Sequence, residues 1–477
     1  MNTIKRHASA FVVAALSASA AFAGETKSKP EDVAKLIPQE TEAQYNARMA
    51  WWIHDRFGMF IHFGLYAAPA RHEWVKKNEK IDDETYGKYF PDFNPDLFDA
   101  KAWAKQAKAA GMRYCVLTTK HHEGFCLFDS KFTDYKITKT PFGRDLVREY
   151  VDAFRAEGIK VGFYYSVIDW HHPDFTIDTH HPERPGDPKF WPDPRVTPAD
   201  FEKANAGRDM AKYRAYMKDQ VREILSNYGK IDIAWFDFSY PGEHGKGRDD
   251  WDSKGLLEIA RTLQPGIIVD NRLDLDDVPG GWDFMTPEQF QVPEWPRRNG
   301  VRVPWETCQT FGGAWGYYRY PQEWKDDAQL VTLLADTVSK GGNLLLNVGP
   351  TARGEIEPAA KARLEAMGRW LRVNGRAIYG CTAAPEGILP PPDSVLTYNP
   401  ETKRLYAILK AYPNRDLACP FADRVDFVRL QDTGVDVEVR KPKTMGNFGE
   451  VEIPEQFILP KGRPASALPV LEITLKD

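Results

Sequence analysis

Eight short apolar runs recur along the chain, and most of them are separated by stretches in which apolar residues return every three or four positions. The runs are FGMFIHFG (57–64), YCVLTTK (114–120), KVGFYYS (160–166), IDIAWFDF (231–238), GIIVDNR (266–272), WDFMTPE (282–288), WETCQT (305–310) and GGNLLLNVG (341–349). Helical spacing is expected over 96–110, 143–157, 207–228, 252–263, 322–339 and 357–373. Strands alternating with helices make a parallel sheet of the α/β class. Eight such repeats specify a (β/α)8-like TIM barrel. The gaps after runs five and six carry no helical pattern, so irregular fifth and sixth units are expected.

Past Gly380 the pattern changes. PEGILPPPDSV (385–395) is a Pro-rich connector, and RLYAILKAY (404–412) and VDVEVR (435–440) alternate like strands. The reading is a catalytic barrel over 24–380 and a C-terminal β-sandwich domain over 381–477. At the other end, Lys5 and Arg6 precede an apolar run from Ala8 to Ala23 that closes with Ala21-Phe22-Ala23. This is the pattern of a secretory signal peptide covering residues 1–23. It places the mature chain in the periplasm or outside the cell. Gly24 and not Cys follows, so no lipid anchor is expected. No other stretch is long and apolar enough to span a bilayer, so no membrane insertion is expected after signal removal.

A net charge of −5 gives no basic surface for nucleic acid. The five cysteines, Cys115, Cys126, Cys308, Cys381 and Cys419, show no CxxC spacing; in an exported chain a Cys381–Cys419 bridge is open. The segment 171–206 holds seven prolines and no core pattern, and reads as a long loop on the face where barrel strands end.

The stretch IDIAWFDFSY (231–240) contains an anomaly. Ile231, Ile233 and Trp235 alternate on one face of a buried strand, and Asp237 continues that row. Barrel active sites lie at the C-terminal ends of the strands, which is where Asp237 falls. The other strand ends add His62, Lys120, His121, His122, Glu123, Tyr165, Trp235, Asn271, Arg272, Glu288 and Glu306. A ring of ionisable groups at one mouth is poorly explained by packing, because each buried charge needs compensation. Metal-assisted hydrolysis fits badly: run one ends His-Phe-Gly, runs five and six have no His, and adjacent His residues on a strand face opposite ways. No metal and no cofactor are therefore expected. Two carboxylates, Asp237 and Glu288, ending different strands instead suit retaining glycoside hydrolysis, with one as nucleophile and the other as acid/base.

These motifs together are familiar. From about Trp51 to Gly380 the chain resembles glycoside hydrolase family 29, the α-L-fucosidases, with a similar C-terminal β domain beyond. The resemblance rests on FGMFIHFG, HEW (72–74), TTKHHEGF (118–125), WFD (235–237), TPE (286–288), WETCQT with GAWGY (313–317), and GGNLLLNVGP (341–350). It implies an exo-acting retaining α-L-fucosidase acting on fucosylated oligosaccharides or glycoconjugates. Asp237 takes the nucleophile position and Glu288 the acid/base position, with Glu73 and Glu306 as rivals for the acid. His62, His121 and His122 would hydrogen-bond the ring hydroxyls, Glu73 would accept from one, and Trp74 and Tyr165 would frame the ring. Trp235 shares the axial face with Asp237, Arg272 lies near the acid/base, and Trp315 helps form the apolar wall for the C6 methyl. An α-L-galactosidase of the same mechanism and a non-catalytic sugar-binding protein are the alternative readings. Segments 171–206 and 239–251 match no part of the family pattern and are expected to set linkage preference.

Overall fold

The computed structural model describes residues 40–476, apart from 188, 189, 191, 192, 243, 244, 321, 442, 446–450, 454, 463 and 465. The signal peptide expected over 1–23 lies outside the described residues.

Seven of the eight runs form parallel strands: β1 (Phe57–Ile61), β2 (Tyr114–Lys120), β3 (Lys160–Ser166), β4 (Ile233–Asp237), β5 (Ile268–Val269), β6 (Glu306–Gln309) and β7 (Asn343–Val348). They lie side by side in the order β5-β4-β3-β2-β1-β7-β6. Run six forms no strand. Its extended chain closes the gap between β5 and β6 through single parallel bridges, Asp270 with Phe284, Met285 with Trp305 and Glu288 with Cys308. Pro287 has no N–H to give to a ladder. The Val269 N–H is taken by the Asp283 carboxylate at 2.7 Å, where a strand would offer a carbonyl. The expectation of irregular fifth and sixth units holds, and the count of eight regular strands becomes seven.

All six expected helices form, from Ala100–Ala109 to Pro358–Asn374. One more, Glu42–Asp55, precedes β1 and opens with a Thr41–Gln44 capping box. Its Trp52 is fully buried beneath the barrel, where the Asn343 side chain donates to the Trp52 carbonyl at 2.8 Å.

Alternation along the strands sorts side chains into two layers. Phe60, Tyr114, Val116, Tyr164, Ile233, Trp235, Phe284 and Leu345 fill the inside of the barrel. Ile61, Leu117, Phe163, Tyr165, Ala234, Phe236 and Leu346 pack outward against the helices. Ile231 joins the outer layer, because β4 begins only at Ile233; Ile233, Trp235 and Asp237 keep the inner row.

Beyond the barrel, a five-stranded antiparallel sheet (Thr382–Ala383, Ser394–Asn399, Arg404–Leu409, Val470–Leu475, Val425–Leu430) faces a three-stranded one (Asp416–Ala418, Gln456–Ile458, Glu438–Arg440). Leu396, Leu405 and Leu471 of the first share an apolar core with Leu417 and Phe457 of the second. All five cysteines are free and buried. No Cys381–Cys419 bridge forms, because Cys381 packs with the barrel core while Cys419 lies in the core of the β-sandwich. The 171–206 loop departs from its reading as coreless. Phe175, Ile177, Asp178 and His181 are buried, and the Lys246 ammonium pairs with the Asp178 carboxylate, tying this loop to segment 239–251.

Candidate active site

The inner row of β4 emerges at the C-terminal mouth as Trp235 and Asp237. Around them stand Phe60 and His62 from the end of β1, His121 and His122 after β2, Tyr164 from β3, Arg272 after β5, Glu288 at the end of run six and Trp315 after β6. They line one pocket at that mouth.

Asp237 is 7 % exposed. The Tyr164 hydroxyl donates to its Oδ2 at 2.7 Å, and Arg272 Nη1 donates to its Oδ1 at 2.8 Å. Burial raises the Asp237 carboxyl above its usual range, and the Arg272 guanidinium opposes that rise. The second terminal nitrogen of Arg272, Nη2, donates to Glu288 Oε2 at 2.8 Å. One guanidinium, lying 4.5 Å over the Trp235 ring, therefore holds both carboxylates across its own width. Asp237 is walled in, whereas the Glu288 side chain is 42 % exposed at the rim.

The residue after each carboxylate has left-handed backbone, Phe238 at φ 91° and Gln289 at φ 52°. An aromatic residue held there carries strain on the order of 1–3 kcal/mol. The Phe238 ring is clamped between Trp74 and His122, at 5.3 and 5.1 Å. The clamp fixes the direction in which the chain leaves Asp237.

Burial drives the imidazoles of the three site histidines below their usual range: His62 to about 3, His121 and His122 well below 6.5. All are neutral at pH 7, each with one N–H and one bare nitrogen. The Asn347 amide nitrogen donates to the Trp315 carbonyl at 2.7 Å, which turns its oxygen to His62 Nδ1 at 2.7 Å. Nδ1 is thus the donor, leaving Nε2 to accept. Ser166 likewise donates its hydroxyl proton to the Ile168 carbonyl and accepts from His122 Nδ1 at 2.7 Å. His122 Nε2, 3.9 Å from Asp237 Oδ2, is then an acceptor as well.

Of the expected site residues, Asp237, Glu288, His62, Trp74, His121, His122, Trp235, Arg272 and Trp315 line this one pocket. Three stand elsewhere. Tyr165 faces outward; its hydroxyl donates to Gln220 at 2.8 Å and Lys120 lies 4.5 Å over its ring. The inward residue is Tyr164. Its signal lay in Val161, Phe163 and Tyr165, an apolar row that belongs against the helices. Glu73 sits behind the wall, 1 % exposed, with its Oε2 accepting from the Trp315 and Gly316 N–H groups at 3.1 and 2.9 Å. It braces the Trp315 loop. Glu306 begins β6 and does not end it, so it lies on the barrel floor. There its Oε2 accepts from Tyr114 at 2.5 Å. Neither Glu73 nor Glu306 is placed to serve as the acid.

Burial raises the Glu306 carboxyl to about 8, against ~4.3 in an unfolded chain. Between those values the folded protein keeps a proton that the unfolded chain has lost, so stability falls as pH rises through this window. Glu306→Gln is therefore expected to raise Tm more above about pH 8 than near about pH 5, and to leave activity in place. Thermal unfolding of both forms at the two pH values, with a rate assay, checks this. An equal shift at both pH values would refute it.

The α-L-fucosidase family model matches residues 25–376. Human plasma α-L-fucosidase is 30 % identical over 391 residues, covering 76 % of each chain. Among solved structures, α-L-fucosidase isoenzyme 1 from Paenibacillus thiaminolyticus superposes with a TM-score of 0.80 at 44 % identity, covering 91 % of this chain and 100 % of that one. An α-L-fucosidase of family GH29 from Bacteroides thetaiotaomicron, trapped as a covalent intermediate with 2-fluoro-fucosyl fluoride, has a TM-score of 0.74 at 28 % identity, covering 92 % of this chain and 97 % of that one. With the family model spanning residues 25–376 and these relatives covering 76 % to 92 % of the chain, the protein belongs to the α-L-fucosidases of glycoside hydrolase family 29.

Proposed function

We propose that the protein is an exo-acting retaining α-L-fucosidase that releases terminal α-L-fucosyl residues from glycans. The observation that carries this reading is the pair of carboxylates, Asp237 and Glu288, held by one arginine in a pocket lined by histidines and aromatic rings. Asp237 attacks the anomeric carbon as the bond to the leaving oxygen breaks, and Glu288 gives that oxygen its proton. Water then attacks the glycosyl ester, Glu288 takes the water's proton, and Asp237 leaves as a carboxylate. Two inversions give net retention.

The surrounding residues suit a sugar ring. Neutral His62 and His122 present acceptors to ring hydroxyls, and His121 lies beside them. Phe60, Trp235 and Trp315 offer an apolar surface for the C6 methyl. A 6-hydroxyl on L-galactose would meet that wall without a partner, though an apolar pocket rejects an added hydroxyl by only about 100-fold. The apolar leader over 1–23 supports export to the periplasm or the medium.

The test is hydrolysis of an aryl α-L-fucoside beside the α-L-galactoside, with the first-formed sugar followed by NMR. The expected result is α-L-fucose as first product and the fucoside preferred by roughly 100-fold in kcat/KM. A β-configured first product would refute the retaining mechanism, and preference for the galactoside would reassign the substrate. No release from either would favour a sugar-binding protein.

A further inference from the structure

The barrel is weakest where its acid/base leaves it. β5 is two residues long, and run six is joined to its neighbours by single bridges. The backbone around Glu288 is bridged to Cys308 of β6, but toward β5 a side chain takes the place of the ladder.

Asn271 makes that replacement. Its Oδ1 accepts from both the N–H and the hydroxyl of Thr286, each at 3.1 Å, and its Nδ2 donates to Asp276 Oδ1 at 3.2 Å. Thr286 in turn accepts from Arg272, through Oγ1 from Nε at 2.9 Å and through its carbonyl from Nη2 at 3.2 Å. The Thr286 hydroxyl is buried, 8 % exposed as a residue, and is used as donor and acceptor at once. The consequence is a fixed guanidinium plane. Nε is committed to Thr286, so Nη1 and Nη2 alone are presented to the carboxylates.

The two carboxylates do not depend equally on this arrangement. Asp237 closes β4 opposite Ser166 of β3 and keeps a separate donor in Tyr164. Glu288 has Arg272 as its one hydrogen-bond partner among the described residues.

We propose that Asn271 and Thr286 are positioning residues for the acid/base Glu288, acting through Arg272 and through the backbone that carries Glu288. This rests on the fucosidase reading above. Neither side chain lines the sugar pocket. Their role is to place the proton that the departing oxygen needs, and it should matter in proportion to that need.

The test compares kcat/KM, which reports the first chemical step, on phenyl and chloronitrophenyl α-L-fucosides. Phenolate leaves poorly without a proton; chloronitrophenolate leaves readily without one. Asn271→Ala and the isosteric Thr286→Val are each expected to lose about 100-fold on the phenyl fucoside while staying near wild type on the chloronitrophenyl fucoside. Thr286→Ser, which keeps the hydroxyl, should match wild type on both. Thr286→Val changes no side-chain volume appreciably, so its reading survives even if Asn271→Ala fails to fold. Equal losses of Thr286→Val on both substrates, or no loss on either, would overturn the proposal. Wild-type inactivity on both would overturn the fucosidase reading and this inference with it.

Discussion

Asp237→Ala should lower kcat/KM on an aryl α-L-fucoside by roughly 10⁴- to 10⁶-fold, the scale seen when a covalent nucleophile is removed. The loss is large because nothing adjacent can substitute. Asp237 is the carboxylate on the inner row of β4, held by Tyr164 and Arg272 in a site that is nearly closed to solvent. Bulk water does not replace it, and Glu288 stands on the other side of the guanidinium. The cavity left by the side chain admits a small anion beside Arg272. Added azide is expected to restore part of the rate and to yield β-L-fucosyl azide, because a single displacement inverts the anomeric centre. Product NMR with the purified variant checks both points. Activity within tenfold of wild type would remove Asp237 from the nucleophile role. An α-configured azide would show that another group still forms the glycosyl-enzyme.

Glu288→Ala should lose roughly 10²- to 10⁴-fold on substrates with poor leaving groups, the range of general acid catalysis. The defect depends on the step. With an activated aryl fucoside the first step needs no proton, so the glycosyl-enzyme forms and then waits for a base to activate water. A burst of aryl alcohol followed by slow turnover is the expected trace. Azide needs no base, and it should restore turnover and yield α-L-fucosyl azide after two inversions. The two variants thus give azides of opposite configuration from one substrate. Near-wild-type activity of Glu288→Ala on a phenyl fucoside would exclude it as the acid. Glu73 and Glu306 could not then take over, since the first is spent on the Trp315 loop and the second lies on the barrel floor.

Much of this site could be read from short-range pattern. A strand alternates with period two, so the row Ile233, Trp235, Asp237 put a carboxylate at the mouth before any tertiary contact was known. The same pattern was ambiguous at KVGFYYS. A parallel strand is apolar on both faces, so two adjacent tyrosines offer no contrast, and a shift of one residue exchanges Tyr164 for Tyr165. Glu306 lies at the floor and not at the mouth for a related reason. The apolar run showed that a strand passes there, but its first hydrogen-bonded residue depends on the partner chain. Here Glu306 pairs with Asn343 at the start of β7, which puts the carboxylate at the floor.

Local periodicity, turn residues and motif order established the alternation of strands and helices, the change of character after Gly380, the carboxylate at the end of β4 and the family, because all of these are written in neighbouring residues. The rest depends on residues far apart in sequence. Asp237 and Glu288 become one unit only when Arg272 reaches both, and Arg272 is oriented only when Thr286 packs against Asn271. Glu73 is withdrawn from the pocket because the Trp315 loop, 242 positions away, offers it two N–H groups. Run six forms no strand because Pro287 and the Asp283 carboxylate disrupt a ladder whose other side is supplied by β5 and β6. These outcomes are set by which hydrogen-bond partners the barrel brings within reach once it closes, and no local spacing encodes that.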